Sequence, residues 1–265
     1  MEQEGVNIEN HEPGRPTSGG LTPWSFWATI GFSLIIGVTY VLIQTIVVVV
    51  FIVAAKLRES NFDFARLIDS IESNGFLLAV ATCVSNPVVV ALTVLFAKAR
   101  TQITVEQYLC LHRVGWKALA KWLLVVVLFV IFHDTLIFLL HKPIVPDVMI
   151  DAYKTAYFTP LLLLALIVIG PVSEEIFFRG FLFKGIESSK LGPPGAIIIT
   201  ALAWSAMHLQ YNILGIAGIF VGGLLLGFAR LRSNSIYPPI VMHALQNLIA
   251  TIEVVVVSGM SGSGC

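Results

Sequence analysis

A run of mostly apolar residues from Tyr157 to Phe183 carries two adjacent glutamates and an arginine in its second half. The run is long enough to cross a bilayer, whose hydrocarbon core requires about 20 residues of helix. Each such charge costs about 2.5–3.5 kcal/mol at the centre of a membrane helix on the insertion scale. Because a fold does not carry this cost without a use, Glu174, Glu175 and Arg179 are candidates for a functional site.

The composition extends this constraint to the rest of the chain. Hydrophobic residues make up 57% of the sequence and charged residues 12%, whereas a soluble domain carries about 25% charged residues. The formal net charge is zero, so nothing indicates a nucleic-acid partner. We therefore predict an integral, multi-pass membrane protein whose surroundings are the lipid bilayer, and its short loops are typical of a bacterial cell membrane.

The predicted fold class is an all-α, polytopic bundle of about seven transmembrane helices, because lipid leaves an isolated spanning segment no other way to satisfy its backbone. Gly218/Gly222 and Gly223/Gly227, in the sixth segment, are each four residues apart and predict close helix contacts. The spans are expected at about residues 24–55, 75–97, 118–140, 157–186, 195–209, 213–231 and 240–257.

Four regions follow from the hydropathy pattern. Residues 1–23 are polar, acidic and rich in Gly and Pro, and we expect them to be disordered. Residues 24–156 hold the first three transmembrane helices and their loops, and residues 157–258 hold the segments with polar motifs. Residues 259–265 are rich in Ser and Gly and are expected to form a flexible tail.

The polar residues of region 157–258 recur at helical spacing. Glu175 and Arg179 are four residues apart and can pair along one helix face, which leaves Glu174 as a carboxylate that neutrality does not require. His208 follows Trp204 by one turn, and His243 precedes Asn247 by one turn. A single membrane histidine is usually a packing residue, but together these side chains supply a base, a proton shuttle and donors for an oxyanion. That is the set required to hydrolyse an amide.

The order of these motifs resembles a known family. Glu-Glu-x-x-x-Arg, aromatic-x-x-x-His and His-x-x-x-Asn on successive apolar segments are similar to the motifs of the CPBP family. This family comprises the type II CAAX prenyl endopeptidases and the bacteriocin-processing or bacteriocin-immunity membrane proteins of the Abi group. The resemblance covers about residues 157–257, so region 157–258 would be a CPBP/CAAX protease core. Trp204 stands where the family more often has Phe, and we expect it to keep an aromatic wall.

The resemblance implies a role for each motif residue. Glu174 would be the base that activates water, assisted by His208. Glu175 and Arg179 would form the pair that orients Glu174, whereas His243 and Asn247 would hold the oxyanion of the tetrahedral intermediate. The implied activity is an intramembrane endopeptidase that cleaves membrane-associated peptides or proteins, such as prenylated CAAX-type or bacteriocin- and pheromone-like substrates.

The resemblance leaves the type of catalysis open, because members are described both as glutamate-dependent proteases and as metalloproteases. In a metalloprotease, Glu174, His208 and His243 would bind Zn²⁺, since two histidines and a carboxylate form a catalytic zinc set. The sequence contains no His-Glu-x-x-His motif. We therefore favour a reaction that requires no cofactor.

Two functions of other classes use the same residues. The buried charges would suit an ion-coupled carrier, but no internal repeat is visible and about seven spans is few for a carrier. A non-catalytic scaffold or immunity protein would retain the fold and act by binding. His133-Asp134 forms a second polar pair at membrane depth, which either satisfies itself or lines a path for water.

Overall fold

The computed structural model describes residues 22–58 and 63–262. Within these ranges the chain forms helices and no β-strand, which confirms the all-α prediction. We number the main helices in chain order: α1 (Phe26–Arg58), α2 (Phe64–Ser70), α3 (Gly75–Ala99), α4 (Val105–Leu109), α5 (Trp116–Leu139), α6 (Asp147–Lys154), α7 (Thr159–Glu187), α8 (Gly192–Ser205), α9 (Ile213–Ser233) and α10 (Tyr237–Gly262).

Six helices in the described part of the chain are long and apolar enough to cross a membrane: α1, α3, α5, α7, α9 and α10. They confirm the prediction of a multi-pass membrane protein. The segment expected to be the fifth span is α8, which has 14 residues and continues into a 3₁₀ turn, Ala206–His208. At about 1.5 Å per residue, α8 alone is about 21 Å long, which is shorter than the hydrocarbon core.

The described residues extend a little beyond the expected membrane region at both ends. Residues 1–21 lie outside the described residues, and Trp24 already donates a hydrogen bond to the carbonyl of Phe96. Helix α10 begins at Tyr237, before the two prolines that follow it, because the first helical turn does not need their missing N–H groups. The same helix continues to Gly262, four residues into the expected tail, and residues 263–265 are not described.

Helix α7 lies at the centre of the bundle. The apolar side chains of its second half, including Phe178, Phe183 and Ile186, are buried and pack against residues of α8, α9 and α10. In contrast, α1 exposes most of its apolar residues, as expected for a helix that faces lipid. The most polar segment of the membrane region is therefore also the one most enclosed by protein.

Helix α7 contains two π-helical segments, Ala165–Ile169 and Ile176–Leu182. The first precedes Gly170-Pro171, where the sequence predicts a bend. A proline has no N–H and its ring crowds the carbonyl four residues earlier, so a locally wider helix accommodates it. A short α-helical segment, Gly170–Glu175, separates the two π-helical segments and carries both glutamates.

The glycines of α9 make the close helix contacts that their spacing predicts. A Cβ atom on Gly223 would lie 3.0 Å from the Cβ of Ala201, and one on Gly227 would lie 3.4 Å from the Cα of Ile197. Both of these neighbours belong to α8. Gly218 and Gly222 instead approach α5 and α10. The glycines thus let α9 pack closely against three helices.

Candidate active site

Glu175 is completely buried and connects two helices. Its Oε1 lies 2.8 Å from Nη1 of Arg179 and 3.0 Å from Nδ1 of His243. A carboxylate accepts hydrogen bonds, so Nδ1 of His243 is the donor. The pairing of Glu175 with Arg179 that the spacing predicts is therefore present, and it extends to His243 on α10.

Arg179 ties this pair to α9. Its Nη2 donates to the carbonyl oxygen of Gly223 at 3.2 Å, and its guanidinium carbon lies 4.9 Å from the centre of the Trp204 ring. In return, Nε of Arg230 on α9 donates to the carbonyl oxygen of Arg179 at 3.0 Å. Arg179 lies in the second π-helical segment, where the regular helical hydrogen bonds are interrupted. The two arginines thus join α7 and α9 in both directions.

Glu174 has a different partner from the one that the resemblance implies. Its Oε2 accepts a hydrogen bond of 2.6 Å from the indole Nε1 of Trp204, whereas the contacts of Glu175 are with Arg179 and His243. Oε1 of Glu174 has no hydrogen-bond partner among the described residues. Trp204 is therefore more than an aromatic wall, because it donates to the glutamate that we expect to be the base.

His208 lies in the 3₁₀ turn after α8. Its Nδ1 is 2.9 Å from the carbonyl oxygen of Trp204. Because a carbonyl oxygen is an acceptor, Nδ1 carries the proton, and in the neutral ring Nε2 retains a lone pair. The Trp204 ring makes edge contacts with both His208 and His243, at 5.2 and 5.0 Å between ring centres. Trp204 thus joins the two histidines and Glu174.

Asn247 contacts the first π-helical segment. Its Nδ2 donates to the carbonyl oxygen of Leu166 at 2.7 Å. The amide has two N–H groups, so this contact leaves the second one for another acceptor. An oxyanion role for Asn247 is compatible with this structural one.

A cavity of about 860 Å³ joins four of the six predicted site residues. Glu174, His208, His243 and Asn247 line it, and Glu175 and Arg179 lie behind them. The lining also includes polar residues that the sequence reasoning left unassigned: Tyr40, Asn86, Tyr211 and Gln246. Gln246 lies between His243 and Asn247 in the sequence, and this position could have marked it as a residue of the site. Tyr40 lies in an apolar span, and the sequence gives no such signal for it.

The second polar pair also lines this cavity. Nδ1 of His133 lies 3.1 Å from an oxygen of Asp134, and both side chains line the cavity together with Glu253. The pair therefore contacts itself, as one of the two interpretations predicts, and it also faces the space that contains Glu174. Both interpretations of the pair agree with this position.

Tyr211 follows His208 in the loop before α9 and stacks on its ring, with 6.2 Å between ring centres. Burial raises the pKa of the Tyr211 hydroxyl, and a hydrogen bond with Gln210 opposes this shift. Tyr211 therefore remains a neutral hydroxyl at physiological pH, available as a donor or acceptor beside the histidine.

The side chains of the site do not form a metal centre in this arrangement. Within the described ranges, no group of three or more His, Cys, Asp or Glu residues is placed to hold a metal ion. Nδ1 of each histidine faces a protein acceptor and one oxygen of Glu174 is bonded to Trp204, so Nε2 of each ring and Oε1 of Glu174 are the atoms left to bind a metal. Because Glu174, His208 and His243 are not placed as such a group in the described structure, we derive no step through a metal.

Comparison with known protein families agrees with the motifs. Residues 156–249 match the family model described as Rce1-like, type II CAAX prenyl endopeptidase. This match confirms the predicted resemblance for this segment of the chain. At the level of the family, the match supports a CAAX-type intramembrane protease.

Among curated proteins, an uncharacterized 24.3 kDa protein of Escherichia coli is similar to part of this chain. The two are 36% identical over 86 residues, which are 31% of this chain. The chain spans 39% of the length of this curated relative. No solved structure matches the chain.

Proposed function

We propose that this protein is an intramembrane endopeptidase in which Glu174 activates a water molecule to hydrolyse a peptide bond. One observation carries the proposal. The Glu174 carboxyl is held through one oxygen, and the residue lines a cavity that His208, His243 and Asn247 also line. A base, a second proton acceptor and donors for an oxyanion thus surround one space.

In this mechanism, the water molecule gives a proton to Oε1 of Glu174 while its oxygen attacks the carbonyl carbon of the scissile bond. The tetrahedral intermediate then collapses, the carbon–nitrogen bond breaks, and the leaving nitrogen takes the proton from Glu174. Nε2 of His208, with its lone pair, assists by accepting a hydrogen bond from the water. The carboxyl group of Glu174 ends the cycle ionised, as it began.

The oxyanion would be stabilised by His243 and Asn247. Because Nδ1–H of His243 donates to Glu175, Nε2 can also donate only when the imidazole carries both protons. The carboxylate of Glu175 accepts this Nδ1–H and fixes the orientation of the ring. Asn247 contributes the N–H that its contact with Leu166 leaves unused. In this arrangement, Glu175 and Arg179 support the oxyanion side of the site, and Trp204 supports the base.

The substrate is proposed to be a peptide held at the membrane. The site residues lie on or next to spanning helices, so a substrate must reach the cavity from the bilayer or its surface. The match to the Rce1-like family model makes prenylated C-terminal CAAX sequences one candidate class. Peptides of bacteriocin or pheromone type are the other class that the motif resemblance implies.

The proposal is tested by a quantitative survey of new protein termini in membranes that contain wild type, Glu174→Gln or Glu187→Gln at equal levels. Glu187 lies at the end of α7 and pairs with Lys184, so its variant is the matched control. We expect termini that are present with wild type and Glu187→Gln and reduced at least about 100-fold with Glu174→Gln. Equal termini in all three samples would contradict the proposal, and the cleaved sequences would identify the substrate class.

Metal dependence is tested separately on the purified protein. We propose that activity does not require a metal. The expected result is full cleavage after treatment with a zinc chelator and less than stoichiometric zinc in elemental analysis. Loss of cleavage on chelation, with recovery on adding Zn²⁺, would instead favour the metalloprotease alternative and would require the site to rearrange.

A further inference from the structure

We propose that Trp204 is a positioning residue for Glu174, whose indole N–H fixes one carboxylate oxygen so that the other faces the water. This inference rests on the proposed function and adds a residue that the motif resemblance does not assign to this role. A phenylalanine at this position, as the family more often has, would keep the ring and lose the donor. At this position, the indole N–H is therefore what this chain has and a chain with phenylalanine lacks.

The hydrogen bond from Trp204 to Glu174 is short and has one possible direction. The distance from Nε1 to Oε2 is 2.6 Å, and an indole nitrogen is only a donor. Hydrogen bonds to an ionised acceptor are shorter and stronger than those between neutral groups. The contact joins residues 30 positions apart, so it connects α8 with the segment of α7 that carries both glutamates.

The indole ring is held in place on several sides. The Arg179 guanidinium lies 4.9 Å from its centre, and the rings of His243 and His208 contact it at 5.0 and 5.2 Å. A Cβ atom on Gly223 would lie 3.1 Å from Cε3 of the indole, so α9 also closes against the ring. Trp204 is 3% exposed. Because packing on these sides restricts the ring, we infer that the direction of its N–H is set before substrate binds.

The other oxygen of Glu174 has the opposite surroundings. Oε1 has no hydrogen-bond partner in the described part of the chain, and its nearest glycine, Gly170, would place a Cβ 3.7 Å away. The charged and titratable groups near the carboxyl are Tyr40 on α1, Glu175 and Arg179 on α7, His208 after α8 and His243 on α10. One oxygen is thus anchored and the other is free to receive a proton, which is the arrangement that a base held ready for water requires.

The ground-state bond can be measured without a substrate. The indole N–H protons of the protein are labelled with ¹⁵N-tryptophan and observed by NMR in detergent micelles, and Trp204→Phe assigns the Trp204 signal. We expect a strongly downfield proton for Trp204 that moves upfield in Glu174→Ala and stays in place in Glu187→Ala. An unchanged signal in Glu174→Ala would overturn the inference, whatever the outcome of the protease test.

The consequence for catalysis is measured with the cleaved peptide as substrate. Trp204 is replaced by Phe or by 3-benzothienylalanine, which keeps the shape of tryptophan and lacks the N–H. We expect kcat to fall about 10- to 100-fold in both variants, as a misplaced catalytic group does, while KM changes less than about twofold. A benzothienyl variant with full kcat would show that Trp204 contributes only its ring and not its N–H. A fall in kcat that is accompanied by a lower Tm of the variant would show a structural role.

Discussion

At the scale of single residues, the most demanding side chain is Glu175. It is 0% exposed, its Oε1 contacts both Arg179 and His243, and its Oε2 is buried without a hydrogen-bond partner among the described residues. A buried ion pair contributes little net stability compared with apolar packing, but removing one partner leaves the other charge uncompensated. Glu174 is less buried, and its neighbour Trp204 is neutral. The two adjacent glutamates therefore differ in what they do for the fold.

We predict that Glu175→Gln destabilises the protein and that Glu174→Gln does not. Loss of the Glu175 charge leaves the guanidinium of Arg179 unpaired in the core, which costs about 3–5 kcal/mol. Glutamine at position 174 still offers an oxygen to the Trp204 indole. The measurement is thermal unfolding of both variants and wild type in the same detergent. A Tm for Glu175→Gln equal to that of Glu174→Gln would contradict this division of roles.

At the scale of helices, the site depends on how α7 and α9 are joined. The π-helical segment Ile176–Leu182 changes the regular hydrogen-bond pattern of α7, and Arg230 of α9 donates to a carbonyl within it. Arg230 is 1% exposed, and its Nη2 also contacts Sγ of Cys110. The reverse contact, from Arg179 to Gly223, needs the close approach that a glycine allows. Together these contacts fix the position and rotation of the glutamate-bearing segment Gly170–Glu175 relative to α8 and α9.

We predict that Arg230→Gln lowers both stability and cleavage, whereas Arg232→Gln lowers neither. Hydrogen bonds from a charged donor contribute about 1.5–3 kcal/mol, and the Arg230 side chain is enclosed by protein. Arg232 lies on the same helix, is exposed, and stacks on Phe228. Thermal unfolding and the yield of substrate termini are compared for the two variants. An Arg230→Gln variant with the Tm and cleavage of Arg232→Gln would mean that the contact with the π-helical segment is not required.

At the scale of the whole molecule, the question is whether the short helix α8 crosses the membrane. Its neighbour α9 runs antiparallel to it, since the contacts pair Ala201 with Gly223 and Ile197 with Gly227. Extending this register places the 3₁₀ turn that ends at His208 beside the first turn of α9. With that turn, the segment is about 27 Å long, close to the thickness of the hydrocarbon core. A crossing by α8, the fifth of the seven expected spans, would therefore be a short one.

We predict that the two ends of α8 face opposite sides of the membrane. Single cysteines at Lys190 and Gln210 are introduced into a chain whose own cysteines are replaced, and an impermeant maleimide is applied to sealed vesicles of known orientation. Lys190 and Gln210 are expected to react from opposite sides. Arg232, at the end of α9 that lies beside the start of α8, is the control and should react from the same side as Lys190. Reaction of Lys190 and Gln210 from one side would mean that α8 enters and leaves the membrane on that side.

The sequence by itself determined the membrane helices and the order of the motifs. Apolar length is a local property, and lipid makes helix the available backbone structure, so the spanning helices could be located closely. Glu175 and Arg179 are also a local pair, four residues apart on one helix. Spacing, with the resemblance that it carries, was likewise enough to propose candidate site residues, and their roles remain predictions.

Only the tertiary structure decided which residue supports which. The partner of Glu174 is Trp204, and the partner of Glu175 is His243, 68 residues away. Spacing within one helix cannot distinguish these pairings, because they depend on the close packing of α7, α8, α9 and α10. The sequence did not predict the two π-helical segments, in which the carbonyl groups of Leu166 and Arg179 accept hydrogen bonds from Asn247 and Arg230 of other helices. Local sequence set the helices and their chemistry, and side-chain packing between helices set the geometry of the site.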